Sequence, residues 1–382
     1  MGSHVTNAAI DWSGVLAWRT ARQHLAERAP AADWPAVVSR IAGLHAQLTA
    51  SAELTLWARV DGLEPGAVAR ALWEEKALVR TWAMRGTLHL LPSAELGLWV
   101  GAQGALKPRY EVGSWLRHHG LTREQAEEML AAIPEALDGR RLTREELAGE
   151  VARITRIAGL DGKLRGGFGD LLKPAAFRGD LCFAPSDGRS VRFARPDQWL
   201  GPWEPWSVDD AVREVTRRYL AAYGPANREA LARWFGMPSP AAAGRWLRVL
   251  GEEVVAVDVE GAELVMLAAD VDEAAAAEPS GAVRLLPAFD HYVVAAPRDA
   301  DAVLAAEHRP RVYRPQGWLS PVLLVDGRMA GVWSHERKGD RLVVEIAPFG
   351  RLARTARSAA EGEAQALAAF LGGELELRFN PG

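Results

Sequence analysis

Residues 67–92 read AVARALWEEKALVRTWAMRGTLHLLP, a run whose helical periodicity gives way after Lys76 to strand-like residues that stop at Pro92. The same change recurs in FGDLLKPAAFRGDLCFAPSDGRSVRFARP at 168–196 and in AAAGRWLRVLGEEVVAVDVEGAELVMLAA at 241–269. Another amphipathic helical segment precedes each, so the order helix, turn, helix, strand, strand returns three times at a spacing of roughly 75 to 100 residues. This is the winged-helix order, in which the second helix enters a major groove and the hairpin lies along the backbone or in the minor groove. Three such units make double-stranded nucleic acid the leading partner.

Working outward, residues 11–29 are expected to form a helix with Trp18 and Leu25 on one face. Asp33 is expected to cap the next helix, with Pro35 in its first turn and Gly43 near its end. Ser51 then caps SAELTLWARV, a third helix runs from about Pro65 to Lys76, and LVRTWAMRGTLHLL is the first wing. Unit two opens with LTREELAGEVARI, where Thr143 and Glu146 fit a capping box. Its recognition helix is expected after the Gly166-Gly167 break, and its wing turns at Ser186-Asp187-Gly188. The connector PDQWLGPWEPWS leads to unit three, from Val208 to about Asp270. Beyond it VRLLPAFDHYVV, SPVLLVDGRMAGVWSH and RLVVEIAPF read as strands, with Asp326-Gly327 as a hairpin turn. ARTARSAAEGEAQALAAFLG follows as a closing helix and ELELRF as a last strand. The expected fold is α+β: winged-helix unit 1 with an N-terminal helix (11–100), unit 2 (101–200), unit 3 (201–280), and a C-terminal antiparallel β-rich region with its closing helix (281–382).

Composition sets the class. At 382 residues the chain suits about three or four domains, and an apolar share of 49% with 15 Trp supplies ample buried surface. The single cysteine, Cys182, excludes an internal disulfide and fits a reducing compartment, so a cytoplasmic, nucleoid-associated protein is expected. No apolar run approaches the ~20 residues needed to span a bilayer, and no charged-then-apolar leader is read, so no membrane partner is expected. The net charge of -4 argues against a generic nucleic-acid coat, but charge is unevenly spread. From Gly139 to Arg195 twelve Lys or Arg stand against seven Asp or Glu, whereas Gly251 to Ser280 carries nine acidic residues and no basic one. Unit two is therefore expected to grip phosphates through Arg165, Lys173, Arg178, Arg189 and Arg192, and unit three to serve mainly as scaffold.

Leu44-His45-Ala46-Gln47 is the segment most suggestive of chemistry. In an unbroken helix residues two apart point about 200° away from each other. Gly43 changes this, because a helix that ends there lets the following residues extend and bring His45 and Gln47 to one face, where they can hold a water between them. The competing reading is a solvated histidine near a helix end beside a surface glutamine. In the first wing Arg85, Thr87 and His89 alternate with Gly86 and Leu88 and so share a strand face, either turned into a groove or merely solvated. Asp290 and His291, read as adjacent strand residues, point to opposite faces, and Asp290 is expected to order a loop or an arginine. The tryptophans are mainly packing residues, a few of which can wedge against bases. Neither cofactor nor metal is expected. RGGFGD lacks the strand that a dinucleotide fingerprint needs, and His118-His119 has no further ligand at zinc-like spacing.

The His45-Gln47 pair, followed by WAMRGTLHLLP and then by LLPAFDHYVV and PVLLVDGRMAGVW, resembles the family of tandem winged-helix DNA glycosylases typified by AlkZ and YcaQ, over nearly the whole chain from Trp12 to Phe379. The resemblance implies a monofunctional DNA glycosylase that excises N7- or N3-alkylated, cationic purines from duplex DNA; some members of the family also remove bulky adducts or unhook interstrand crosslinks, which is not favoured here over a simple methylated base. It also implies that His45-Ala46-Gln47 stands where the family most often has Gln-x-Gln or Gln-x-Asp. His45 would then position or activate water, and Gln47 would position water and contact the sugar. Histidine at the first position departs from the common motif but keeps a hydrogen-bonding group. The alternative is a non-enzymatic winged-helix DNA-binding protein such as a transcription regulator. Against it stands the lack of a dimerisation coiled coil, and a monomer is expected.

Overall fold

The computed structural model describes residues 5–380 except Phe168 and Arg189. The chain folds as two compact units, residues 69–215 and a discontinuous unit of residues 1–68 with 216–382.

The contiguous unit opens with the hairpin Leu78–Trp82 and Leu88–Pro92, in register with Thr81 opposite His89. The order helix Arg123–Ala136, strand Leu142–Thr143, helix Arg144–Thr155, helices Leu160–Arg165 and Lys173–Phe177, then strands Cys182–Asp187 and Ser190–Ala194 follows. The last strand lies between the other two, giving a small antiparallel sheet. The expected capping box is present: Thr143 Oγ1 accepts from Glu146 N at 3.2 Å and Glu146 Oε2 accepts from Thr143 N at 2.7 Å. The helix after the Gly166-Gly167 break is only five residues long, with Pro174, Ala175 and Ala176 buried. Leu130, Ile133, Val151, Leu172, Phe183 and Phe193 form the core, into which the hairpin's Trp82 inserts. The fit requires glycine at Gly169, where a Cβ would stand 2.6 Å from the Trp82 ring.

In the discontinuous unit the first helix is Trp12–Arg22, capped by Asp11, and stops well short of residue 29. The next, Trp34–Arg40, has Asp33 at its cap position without a side-chain bond, and the third, Thr49–Trp57, begins before Ser51, which is buried inside its first turn. Helices Arg228–Phe235 and Pro240–Val249, capped by Asn227 and Ser239, lead to the hairpin Val254–Val259 and Ala262–Leu267. Val5–Ile10 adds a parallel strand to it, and Ala226 bridges to Val265. A five-stranded sheet then runs in the order Val283–Leu286, Val322–Val325, Arg328–Lys338, Arg341–Pro348, Glu374–Phe379.

Two expectations for this region are corrected. The sheet is mixed, because the helix Arg354–Leu371 returns the chain and makes the last pair parallel. The segment read as a continuous strand through FDHYVV breaks after Leu286, and His291–Ala295 is a short helix. The turn at Asp326-Gly327 has φ of 46° and 78°, as the favoured two-residue hairpin requires. Tyr292 Oη donates to Gly327 O at 2.7 Å, and a Cβ on Gly327 would meet Leu16 Cβ at 2.8 Å, which ties the sheet to the first helix.

Candidate active site

The local fold around His45 follows from how its helix stops. Gly43 N bonds to Val38 O at 2.8 Å and Ala42 N to Ser39 O at 3.0 Å, the paired bonds of a Schellman ending, with Ala42 in the left-handed region at φ 61° and Gly43 at φ 93°. The helix therefore ends one residue earlier than Gly43 alone suggested, and Leu44–His45 is extended. His45 is 4% exposed and Ala46 wholly buried. Gln47 lies in a bend at the surface.

His45 is held by a ring. Its imidazole stacks on Phe289, centroids 4.8 Å apart and planes 10° apart. Phe289 is half-buried with φ 61°, a left-handed backbone that a bulky residue adopts only when its surroundings impose it. The next residue supplies the constraint. Asp290 caps the short helix, accepting from Tyr292 N at 2.8 Å. Its two oxygens each accept from Arg59, Oδ2 from Nη1 and Oδ1 from Nη2, both at 2.8 Å, and both side chains are 0% exposed. Arg59 Nη1 also donates to Thr55 O and Nη2 to Gln23 Oε1. A bidentate pair of this kind has fixed planar geometry, so it sets the direction in which the chain leaves Phe289.

The strand carrying His45 is held from its other end as well. Tyr223 Oη donates to Ile41 O at 2.6 Å, and His291 Nδ1 lies 3.0 Å from the same oxygen, as a protonated Nδ1 would place it. Asp290 and His291 are thus both fully buried, one fixing Phe289 and the other fixing the loop before His45. The expectation that Asp290 orders an arginine is met in Arg59.

In the contiguous unit, the wing residues do not share a strand face. Arg85 sits in the turn Met84–Gly86 with φ 59°. Arg85 and His89 still meet, Nη2 to Nε2 at 3.3 Å, while His89 Nδ1 is 2.9 Å from Thr87 O. The Nδ1–H tautomer satisfies both contacts, and His89 itself is buried. Among the expected phosphate clamps, Arg165 pairs with Asp161 at 3.5 Å, Lys173 with Asp170 at 2.6 Å and Arg178 with Asp180 at 2.9 Å. Arg192 Nη1 donates to Arg141 O at 3.1 Å. Arg189 lies outside the described residues. Burial pushes the Asp180 carboxyl above its usual range, and Arg178 opposes that rise. Among the described residues no group of three His, Cys, Asp or Glu side chains is placed to hold a metal ion.

Residues 38–370 match the model of the family described as DNA glycosylase AlkZ-like. The chain belongs to the AlkZ-like DNA glycosylase family. It is 38% identical over 365 residues to the interstrand DNA cross-link repair glycosylase of Streptomyces sahachiroi, covering 92% of this chain and 94% of that protein. The solved structure of Streptomyces sahachiroi DNA glycosylase AlkZ is similar at a TM-score of 0.86 and 36% identity, over 97% of this chain and 100% of that one. In this AlkZ-like DNA glycosylase the supports of His45 are Phe289, Arg59, Tyr223 and His291, of which the sequence flagged only His291, together with the Asp290 that Arg59 holds. DNA is the substrate polymer that membership in the family gives it. No described helix is long and apolar enough to cross a membrane.

Proposed function

We propose that this chain is a monofunctional glycosylase for cationic, N7- or N3-alkylated purines in duplex DNA, with His45 and Gln47 as its catalytic pair. The carrying observation is that the polar side chain at the first motif position is buried, extended and clamped by Phe289 in a member of this family. Such a purine leaves as a neutral base, so the bond to C1′ breaks without a general acid. What remains is to stabilise oxocarbenium-like charge at the sugar and to place one water, tasks of position and electrostatics. His45 accepts a hydrogen bond from that water and Gln47, at the surface, contacts water and sugar. Interstrand cross-link repair, the activity named for the relative, would extend the same chemistry to a tethered base. The four-segment division at 100, 200 and 280 and a monomeric state belong to the same proposal.

The test is base release from a duplex carrying a single N7-methylguanine. The expected result is free base and an abasic site that breaks only on later heating in alkali, with no borohydride-trapped adduct. Strand cleavage without alkali would remove the monofunctional reading.

DNA contact is proposed for Arg85 and Thr87, with buried His89 acting through the Arg85 guanidinium it holds, and for Arg165, Lys173, Arg178 and Arg192. Because the last group already has local partners, each phosphate displaces one, and the affinity gained per side chain is small. The salt dependence is the better readout. Changing Arg165 and Arg178 together to Gln is expected to reduce the slope of log K against log[salt] by about 2. An unchanged slope would take both residues out of the interface.

A further inference from the structure

Among the described residues of the discontinuous unit, the exposed large apolar side chains are Leu48 and Trp318. Both stand at the candidate site. Leu48 follows Gln47 directly, and Trp318 lies edge-on to Phe289, centroids 5.0 Å apart at 75°, on the ring that stacks on His45. Imidazole, phenyl and indole thus form one row that passes from a buried group to one 42% exposed. An apolar ring left in water at the end of such a row has a face available to a planar partner.

The chain presents this indole on a built turn. Residues Pro315–Gly317 reverse direction with Gln316 at φ 60° and Gly317 at φ 77°. Arg314 N bonds to Trp318 O at 2.9 Å, and Tyr313 bridges to Leu319. Arg298 lies over the Tyr313 ring at 4.6 Å, and Ser320 Oγ donates to Arg311 O at 2.8 Å. The turn is braced on both arms, so the backbone that presents Trp318 has little conformational freedom, and exposed Arg314 is paired across the turn from it.

We propose that Trp318 is a specificity-determining residue that stacks on a planar aromatic surface carried by the base at the candidate site, so that lesions bearing an aromatic ring are preferred to saturated ones of the same size. The assignment rests on the reading of His45 as catalytic only for where the base lies. Stacking of a base on an aromatic side chain typically changes affinity by about tenfold or more, and an edge-braced indole loses little entropy on engaging.

The experiment uses duplexes carrying N7-methylguanine, N7-benzylguanine or N7-(cyclohexylmethyl)guanine, with the parent protein, Trp318→Ala and Trp318→Phe. Single-turnover base release is read in parallel with equilibrium binding to 2′-fluoro analogues, whose glycosidic bond resists cleavage. The parent is expected to favour benzyl over cyclohexylmethyl by about tenfold in both readouts. Trp318→Ala is expected to remove that preference, read as the benzyl to cyclohexylmethyl ratio within each protein so that any common effect on release cancels, and Trp318→Phe keeps part of it. A preference that survives in Trp318→Ala, or a parent with none, overturns the assignment. Trp318-dependent binding without base release upholds the stacking role and overturns the glycosylase reading of His45. Base release with no Trp318 dependence does the reverse.

Discussion

Alanine in place of His45 is expected to lower the single-turnover rate constant for N7-methylguanine release by about two to three orders of magnitude, with DNA affinity changed little. The size follows from the role proposed for the side chain. Its ring is fixed against Phe289 before substrate arrives, so in the proposed role it would accept a hydrogen bond from the water with no reorganisation in the transition state. Alanine removes both the acceptor and the ring that Phe289 covers. Glutamine at the same position returns the chain to the family's commonest first residue and is expected to retain activity within about tenfold of the parent, because position matters here more than basicity. The two variants, measured at saturating protein on one duplex, separate water positioning from proton transfer. Rates for His45→Ala within about threefold of the parent would take His45 out of the chemistry.

The second large effect is structural. Asp290→Ala is expected to cost about 3–5 kcal/mol, since it leaves the Arg59 guanidinium as an uncompensated charge with 0% exposure. Replacing both partners with apolar residues of similar volume, Arg59→Met with Asp290→Leu, is expected to recover most of that loss. Urea midpoints at unchanged slope measure the difference. The double variant carries a further consequence for activity. It restores stability without the bidentate geometry that turns the chain at Phe289, so base release is expected to stay depressed in a protein that is again well folded. Full activity in the double variant would show that Phe289 reaches His45 without the ion pair.

What the sequence disclosed was local. Thr143 and Glu146 are three residues apart and satisfy each other within one helical turn, so their types alone announce the helix start. Asp326-Gly327 announces its hairpin for the same reason, because only small or permissive residues take both left-handed positions. His45 was found because Gly43 advertised a break, although Ala42 takes the first left-handed position. The misreadings lie where distant residues overrule local pattern. FDHYVV carries strand-forming residues, but Asp290 is committed to Arg59, 231 positions away, and caps a helix instead. Ser51 has a cap's chemistry yet is buried, since packing of the third helix set an earlier start at Thr49. The alternation around Arg85 failed because two consecutive left-handed residues, Arg85 and Gly86, bend the chain where a flat strand was assumed.

The separation of Arg59 from Asp290 also has a meaning in time. A ribosome adding about 5–20 residues per second takes on the order of 10 to 45 seconds to pass from one to the other. Throughout that interval residues 69–215, contiguous in the chain, emerge, while the nascent segment bearing His45 has neither Phe289 to cover it nor Asp290 to neutralise its neighbour. The unit that carries His45 is thus completed after the contiguous unit has been made, and no translation product that stops before residue 290 contains the Arg59 to Asp290 pair.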